Sequence, residues 1–278
     1  MPEGHTLHRL ARELTVEFGG TEVASTSPQG RFEAGAARVD GRVLEYAEAY
    51  GKHVFVHFLG IEDVVHVHLG LYGTFVFGRD DERTVAGALR WRIATPRVYA
   101  DLRGPAACGL MEAPEKAAVL DRLGPDPLRE DADPDAGWAR VRGSRTPIAA
   151  LLMDQLVLAG VGNVYRAEVL FRSRIDPYLE GRLLKRAEWR AMWTDLVEMM
   201  HEGVVTGRID TVHTEHEPAA MGRLPRKDDH GGEVYVYRRN GQSCHVCGTN
   251  VRTETLAGRN LFWCPRCQRL SRRRVRAT

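Results

Sequence analysis

The chain has 278 residues, 43% apolar and 27% charged, which is typical of a globular protein with about two domains. It contains no apolar run of the roughly 18 residues that a membrane helix needs. Its first ten residues include four ionisable side chains, which is not typical of a secretory signal. We therefore expect a cytoplasmic protein without a membrane span.

The charge is distributed unevenly along the chain. The formal net charge is only +2, but residues 238–278 contain ten arginines, no lysine and one acid. This segment therefore carries +9 and the remaining residues carry −7. A basic end on a slightly acidic body indicates contact with a polyanion, although a solvated basic tail would show the same composition.

The chain begins Met1-Pro2-Glu3-Gly4. If Met1 is removed, Pro2 offers a secondary amine, which can attack an electrophilic sugar carbon and hold it as an iminium. The carboxylate of Glu3 would then be a nearby proton donor or acceptor. Residues 6–18 carry apolar side chains at helical spacing and predict an amphipathic helix. Proline is also common just before a helix, so this beginning alone does not establish chemistry.

Residues 41–101 alternate apolar and polar side chains and are interrupted by glycines, which predicts an antiparallel sheet or sandwich. His66 and His68 would lie on one face of a strand. They could belong to a metal site, but no carboxylate or further histidine follows at ligand spacing. Packing or hydrogen bonding is therefore the favoured role for this pair.

A proline-rich linker near residues 124–134 precedes a helical region. The pattern predicts helices over 148–157, 164–171 and 188–200, a polar loop over 208–232, and a strand over 233–237. Between the first two helices, Gly160-Val161-Gly162-Asn163 would expose backbone N–H groups to a phosphate or simply form a tight turn. Arg142, Arg145 and Arg166 would add positive charge around this turn.

Four of the five cysteines form two Cys-x2-Cys pairs, separated by 16 residues: Cys244, Cys247, Cys264 and Cys267. Two knuckles of this spacing place four thiolates around one Zn²⁺ ion. A pair of disulfides is disfavoured in a cytoplasmic protein. With four protein ligands the metal has no open position, so we predict a structural zinc. The remaining Cys108 is assigned no role.

Several motifs occur together from Pro2 to Gln268, nearly the whole chain. They are Pro2-Glu3-Gly4, Gly51-Lys52-His53, Gly160-Val161-Gly162-Asn163, and the zinc hairpin with Gly258-Arg259. In this order they resemble the formamidopyrimidine-DNA glycosylase and endonuclease VIII family of bacterial base-excision repair enzymes. The similarity is greatest to actinobacterial endonuclease VIII.

The resemblance implies a role for each motif. The amine of Pro2 would attack C1′ of a damaged nucleotide, with Glu3 as the acid and base. Lys52 aligns with a second proton donor, and Arg259 aligns with a zinc-finger arginine that grips phosphate and assists δ-elimination. Asn163 belongs to the DNA-binding turn between two helices.

The resemblance also implies how DNA would be opened. A base inside a duplex must be flipped out before it can react. Leu71 and Tyr72 would fill the gap as a wedge, and Arg103 would contact the orphaned base. The alternative for the wedge pair is core packing after a strand. Because Gly70-Leu71-Tyr72 is similar to the endonuclease VIII wedge, oxidised pyrimidines are the expected lesion.

We therefore expect an α+β protein with an N-terminal antiparallel β-sandwich with flanking helices (1–124), a helix–two-turns–helix domain with a lesion-side loop (125–232), and a zinc hairpin with a basic tail (233–278). The expected partner is double-stranded DNA with oxidised or abasic sites, bound by a monomer and associated with the nucleoid. Three alternatives stay open: a glycosylase that prefers 8-oxoguanine or formamidopyrimidine, a catalytically inactive zinc-ribbon DNA-binding protein, and a metallohydrolase using His66 and His68.

Overall fold

A computed structural model of the chain describes residues 2–79, 87–227 and 232–269. The chain divides into two compact units, Met1–Arg122 and Leu123–Thr278. Met1 lies outside the described residues, and so do residues 270–278 with four arginines of the basic segment. Within the described ranges no helix is both long and apolar enough to cross a lipid bilayer.

The first unit contains one eight-stranded antiparallel sheet, with strands in the order β5-β7-β6-β1-β2-β3-β4-β8. The strands are β1 (Thr21–Thr26), β2 (Arg42–Tyr50), β3 (His53–Phe58), β4 (Val64–His68), β5 (Thr74–Gly78), β6 (Leu89–Ala94), β7 (Tyr99–Arg103) and β8 (Ala107–Met111). All of their pairings are antiparallel, as the alternation of apolar and polar residues predicted.

The sheet divides into two halves at β1. The first residues of β1 pair with β2 and its last residues pair with β6, so one strand belongs to both halves. One apolar core contains side chains from both halves, among them Val54 and Val65 from one and Trp91 and Ile93 from the other. The prediction of an antiparallel β-sandwich is therefore confirmed.

Three helices accompany this sheet: α1 (Gly4–Phe18), α2 (Glu33–Val39) and α3 (Ala113–Leu120). The apolar residues of α1 recur at helical spacing and are buried in the same core. On the opposite face of the sheet, Lys116 of α3 donates to the Glu48 carboxylate at 2.5 Å and lies 5.1 Å above the Phe55 ring. The flanking helices therefore cover both faces of this half of the sheet.

The second unit is helical and ends in a hairpin. Its elements are α4 (Pro134–Val141), α5 (Ile148–Leu151), α6 (Asn163–Arg172), α7 (Arg186–Thr206), α8 (Pro218–Met221), β9 (Arg252–Leu256) and β10 (Arg259–Trp263). The inner residues of α6 are buried on every side, and the hairpin residues Leu261 and Phe262 belong to the same apolar core. Burial of a whole helix within a small unit requires neighbours all around it.

Two predicted elements of this unit are wrong in extent. The helix predicted over 148–157 stops at Leu151, because Asp154 accepts from the backbone N–H of Leu156 at 2.9 Å and forms a turn. The helix predicted over 188–200 is longer and spans Arg186–Thr206. It ends at Gly207, whose φ of 73° is the left-handed conformation that terminates helices.

The predicted strand over 233–237 is wrong. Despite its alternation of valine and tyrosine, this segment forms no ladder and instead turns around a buried carboxylate. The predicted loop over 208–232 contains a 3-10 turn, Thr214–His216, and the short helix α8 within its described residues. Thr211 N donates to the carbonyl of Glu233 at 2.8 Å and closes the base of this loop.

Candidate functional site

Pro2 and Glu3 stand at the N-terminus of α1, where Glu3 is the fully buried residue that precedes the first helical turn. The helix runs antiparallel to β2, because Gly20 N donates to Leu44 O at 2.8 Å and Thr15 Oγ1 accepts from Ala47 N at 2.8 Å. Thr15 lies eleven residues after Gly4, so the two are about 16 Å apart along the helix axis. Pro2 therefore lies beyond the far end of β2.

Lys52 lies at that same end of the unit. It follows Gly51, whose φ of 59° makes the tight turn from β2 into β3. From Ala47, β2 continues for about 10 Å to Tyr50 before the turn over Gly51 and Lys52, in the same direction in which α1 extends from Thr15 back to Gly4. The structure therefore places Pro2, Glu3 and Lys52 at one end of the first unit, on two different elements.

Three histidines lie beside Lys52. His53 begins β3, and Nδ1 of His53 is 2.8 Å from Nε2 of His66 on β4, which confirms hydrogen bonding for His66. Burial and mutual proximity lower the pKa of His53 to about 3 and that of His66 to about 4. Burial and then the charge of Lys52 lower the pKa of His68. Among the described residues these histidines do not belong to a group of three or more possible metal ligands.

The predicted wedge occupies the turn between β4 and β5. Leu69 is buried, but Leu71 is 45% exposed and Tyr72 is 86% exposed, so neither packs in the core. Gly70 makes the turn with φ 70°, where a Cβ would lie 2.7 Å from Cβ of Ala106. Large apolar side chains at this level of exposure are typical of a contact surface. Since β4 ends beside the start of β3, the wedge lies at the same end of the unit as Lys52.

Arg103 also reaches this end. It is the last residue of β7 and pairs with Thr74, two residues after the exposed Tyr72. Its side chain is 30% exposed. The predicted site residues of the first unit therefore all lie at one end of that unit. They are Pro2, Glu3, Lys52, the wedge pair and Arg103.

In the second unit Asn163 begins α6 and contacts the zinc hairpin. Its amide Nδ2 donates to the carbonyl of Asn260 at 3.0 Å, and Arg166 donates to the same carbonyl at 3.0 Å and to Oδ1 of Asn163. Gln155 shapes the preceding turn by accepting from Gly160 N at 3.0 Å. Arg166 is fully buried with its charge next to Asn163, whereas Arg142 and Arg145 are exposed.

Arg259 is exposed at the start of β10, directly after a two-residue turn. Ala257 and Gly258 form that turn with φ of 49° and 73°, the combination of a type I′ hairpin. Because the carbonyl of Asn260 accepts from Asn163, the backbone of the neighbouring Arg259 lies close to the start of α6. One carbonyl thus links Asn163 to the strand that carries Arg259.

The four predicted zinc ligands converge. Their sulfur atoms all lie within 4.8 Å of one another, with 3.9 Å between Cys244 and Cys267 and 3.5 Å between Cys247 and Cys264. Four Zn–S bonds of about 2.3 Å in a tetrahedron place sulfurs about 3.8 Å apart, so the site fits one closed Zn²⁺. The hairpin therefore binds one structural zinc. Cys108 lies apart, and burial raises the pKa of its thiol to about 12, which favours the protonated thiol at neutral pH.

Sequence reasoning missed a buried carboxylate beneath this site. Glu168 of α6 is fully buried and accepts from the backbone N–H groups of Tyr235, Val236 and Tyr237 at 2.7, 2.9 and 2.8 Å, and from Thr211 Oγ1 at 2.6 Å. One carboxylate therefore ties α6 to both ends of the loop over 208–232. The helix also carries Arg166 and Arg172, so its sequence alone did not single out this carboxylate.

Comparison with known families matches three models along the chain. Residues 1–108 match the formamidopyrimidine-DNA glycosylase N-terminal domain, residues 123–215 match the formamidopyrimidine-DNA glycosylase H2TH domain, and residues 241–270 match the zinc finger found in FPG and IleRS. A sandwich with an N-terminal proline, a helix–two-turns–helix domain and a zinc finger defines a class of DNA glycosylases.

Individual relatives agree with these matches. Endonuclease 8 1 of Mycobacterium tuberculosis is 51% identical over 272 residues, which is 96% of this chain and 100% of the relative. Formamidopyrimidine-DNA glycosylase of Thermus thermophilus is 31% identical and covers 96% of this chain and 97% of its own length. The chain belongs to the formamidopyrimidine-DNA glycosylase and endonuclease VIII family. It is accordingly a DNA glycosylase with abasic-site lyase activity.

Solved structures share the fold. The Lactococcus lactis Fpg in complex with DNA containing an abasic site superposes with a TM-score of 0.78 at 19% identity, covering 96% of this chain and 100% of that chain. A point mutant of the Lactococcus lactis FPG, bound to DNA containing Fapy-dG, also gives 0.78, at 21% identity, and covers 97% and 100%. At this identity the likeness concerns the fold alone.

Proposed function

We propose that the enzyme excises oxidised pyrimidines from double-stranded DNA and nicks the strand by β,δ-elimination through a Schiff base on Pro2. The observation that carries this proposal is the placement of Pro2, Glu3 and Lys52 at one end of the first unit, beside an exposed wedge. We further propose that the enzyme acts as a monomer with the three functional regions 1–124, 125–232 and 233–278. The chemistry requires that Met1 be removed, because an amide nitrogen at Pro2 is not nucleophilic.

The proposed first step forms a bond between the Pro2 nitrogen and C1′ of the damaged nucleotide. The bond from C1′ to the base breaks, the base leaves with a proton, and the opened sugar is held as an iminium. Glu3 is fully buried beside the amine, so its carboxylate can deliver and accept the protons of ring opening. The positive end of the α1 dipole favours a neutral over a protonated amine at Pro2.

The iminium makes the C2′ proton acidic. Its removal breaks the bond from C3′ to the 3′ phosphate, and a second elimination releases the 5′ phosphate. We propose that Lys52 donates a proton in this sequence and that Arg259 and Asn163 hold phosphates. The exposure of Arg259 and its proximity to Asn163 through Asn260 support the phosphate role.

Leu71 and Tyr72 are proposed to fill the space that the flipped nucleotide leaves, and Arg103 to contact the base opposite it. The exposure of both wedge side chains supports this role. The preference for pyrimidines is supported by the Gly70-Leu71-Tyr72 wedge and by the 51% identity to a protein named Endonuclease 8 1, against 31% for one named formamidopyrimidine-DNA glycosylase.

Borohydride trapping tests the chemistry. The wild type is expected to form a covalent adduct with duplexes that contain an abasic site or dihydrouracil. The Pro2→Gly/Lys52→Ala variant should lose the adduct, while the matched surface change Lys227→Ala should retain it. Undiminished trapping by the double variant would contradict the Pro2 Schiff base. Intact mass shows whether Met1 is absent; its retention would leave a binder without this nucleophile.

A panel of lesions tests the preference. Duplexes with thymine glycol, dihydrouracil, 8-oxoguanine and a plain abasic site are compared under single-turnover conditions. Faster excision of the two pyrimidines is expected. A higher rate on 8-oxoguanine would replace the pyrimidine assignment with the purine alternative and leave the Pro2 chemistry intact.

A further inference from the structure

Arg103 is held by a carboxylate that it shares with a second arginine. Asp101 on β7 is 1% exposed, and its Oδ1 accepts from Arg92 Nε at 2.6 Å. Its Oδ2 accepts from Arg92 Nη2 at 2.8 Å and from Arg103 Nη2 at 2.7 Å. The guanidinium of Arg92 lies 4.9 Å from the centre of the Tyr99 ring. Asp101 is therefore fixed by Arg92 and in turn fixes Arg103.

The buried charge of Asp101 is compensated by Arg92 alone, so the hydrogen bond with Arg103 is an additional one. Arg92 already meets the carboxylate with two parallel hydrogen bonds, the geometry that best compensates a buried charge. The added partner is the more exposed one, with a side chain 30% exposed against 9% for Arg92. A free arginine side chain populates many rotamers. Asp101 removes part of this freedom before any ligand binds.

The strand position of Arg103 lies beside the wedge. Arg103 pairs with Thr74, which follows the wedge by two residues. A Cβ on Gly104 would lie 3.9 Å from the carbonyl of Tyr72, and a Cβ on Gly87 would lie 3.5 Å from Nη1 of Arg103. The guanidinium of Arg103 therefore lies next to Gly87, and the residue that follows Arg103 lies next to the backbone of Tyr72.

We propose that Asp101 is a positioning residue that directs Arg103 toward the base opposite the lesion and thereby sets how strongly the enzyme discriminates among opposing bases. The inference rests on the proposed function, in which Arg103 makes that contact. A guanidinium only donates hydrogen bonds, so a fixed one favours opposing bases that present acceptor atoms at its position. An arginine free to rotate would reach acceptors in several places and discriminate less.

The test measures single-turnover excision of dihydrouracil opposite each of the four bases. The ratio of the fastest to the slowest rate is expected to fall about tenfold in Asp101→Asn and in Arg103→Gln, the discrimination of roughly one directed arginine contact. The double variant should show no further fall, because both changes remove one interaction. The matched control is Glu48→Gln, which removes a carboxylate from another ion pair of the same sheet. It should keep the wild-type ratio.

A second readout separates positioning from a structural role. A single-stranded abasic oligonucleotide has no opposing base. Asp101→Asn should therefore lose less of the borohydride-trapped adduct on this strand than on the duplex. An equal loss on both, with an unchanged ratio, would overturn the positioning role. If Asp101→Asn does not fold, Arg103→Lys takes its place. This variant keeps the positive charge but lacks the planar guanidinium, so the ratio of rates should fall. An unchanged ratio overturns the inference. A wild type that traps neither substrate would overturn the lyase proposal and this inference with it.

Discussion

The two units display their site residues in different ways. In the first, every site residue is at the end of a regular element: Pro2 and Glu3 at a helix start, and Lys52, the wedge and Arg103 at strand ends. In the second, Asn163 and Arg259 also begin regular elements, but side chains rather than one ladder hold those elements together. A carboxylate, a buried arginine and a metal join segments that have no ladder between them.

The difference shows two routes to a rigid site. Backbone ladders position strand ends without any particular side chain, so the first unit tolerates change at most positions away from its core. In the second unit single polar side chains replace a ladder, and each buried one must have its partners. Point substitutions should therefore affect the stability of the two units differently. The largest losses are expected where one side chain or the metal ion contacts several segments.

Loss of zinc is expected to have the largest effect. Cys264→Ala should abolish zinc binding, and the hairpin should unfold locally, since binding free energies of structural zinc are on the order of 10 kcal/mol. The first unit should keep its unfolding transition. Metal analysis and calorimetry measure the two outcomes. The control Cys108→Ala should retain one zinc per chain. A hairpin that stays folded without zinc would show that the metal does not hold this part of the second unit together.

Removal of the charge on Glu168 ranks second. Glu168→Gln leaves one acceptor for four donors and turns an amide N–H toward backbone N–H groups. The free energy of unfolding of the second unit should fall by about 3 kcal/mol. Urea denaturation measures it against Glu198→Gln, an exposed glutamate on α7, for which the change should stay within about 0.5 kcal/mol. Equal losses would mean that the carboxylate does not hold these segments.

The same contrast explains what the sequence could predict. Alternation and helical spacing predict the sandwich and α1, and cysteine spacing predicts the zinc ligands, because each is a local pattern. The segment 233–237 has the alternation of a strand, but its N–H groups bond to Glu168, 65 or more residues away. No local pattern contains such a partner. Asp101 was missed for the same reason, since its role depends on an arginine from a neighbouring strand.

The paired histidines of the first unit give a pH-dependent prediction. The pKa is about 3 for His53 and about 4 for His66 in the folded state, against 6.5 ordinarily. Above pH 6.5 both are neutral whether folded or unfolded. As pH falls from 6.5 to 4.5 these two groups gain protons mainly in the unfolded chain, so the free energy of unfolding should fall by roughly 2 kcal/mol for each histidine. The pKa of Glu48 is lowered to about 2, so the stability that this carboxylate contributes is lost only as pH falls below 4.5.

Unfolding at pH 6.5 and pH 4.5 tests this dependence. His66→Phe should show a smaller loss between the two pH values than the wild type, because one buried neutral imidazole is gone. The control His201→Gln changes an exposed histidine on α7 and should keep the wild-type dependence. An unchanged dependence in His66→Phe would show that the histidine pair does not carry the effect.

The smallest expected effect concerns the hairpin turn before Arg259. Ala257 has φ 49°, a left-handed conformation that alanine adopts at a cost and that asparagine or glycine adopts readily. Ala257→Asn should therefore stabilise the hairpin by about 0.5 kcal/mol, and Ala257→Val should destabilise it by a similar or larger amount, because a β-branched side chain fits this conformation worst. Hydrogen exchange of the β9 and β10 amides measures both variants with zinc bound. If the two variants behaved alike, the zinc and the carbonyl contact of Asn260 would hold this hairpin without help from its turn, and the second unit would depend on its buried polar groups even more strongly.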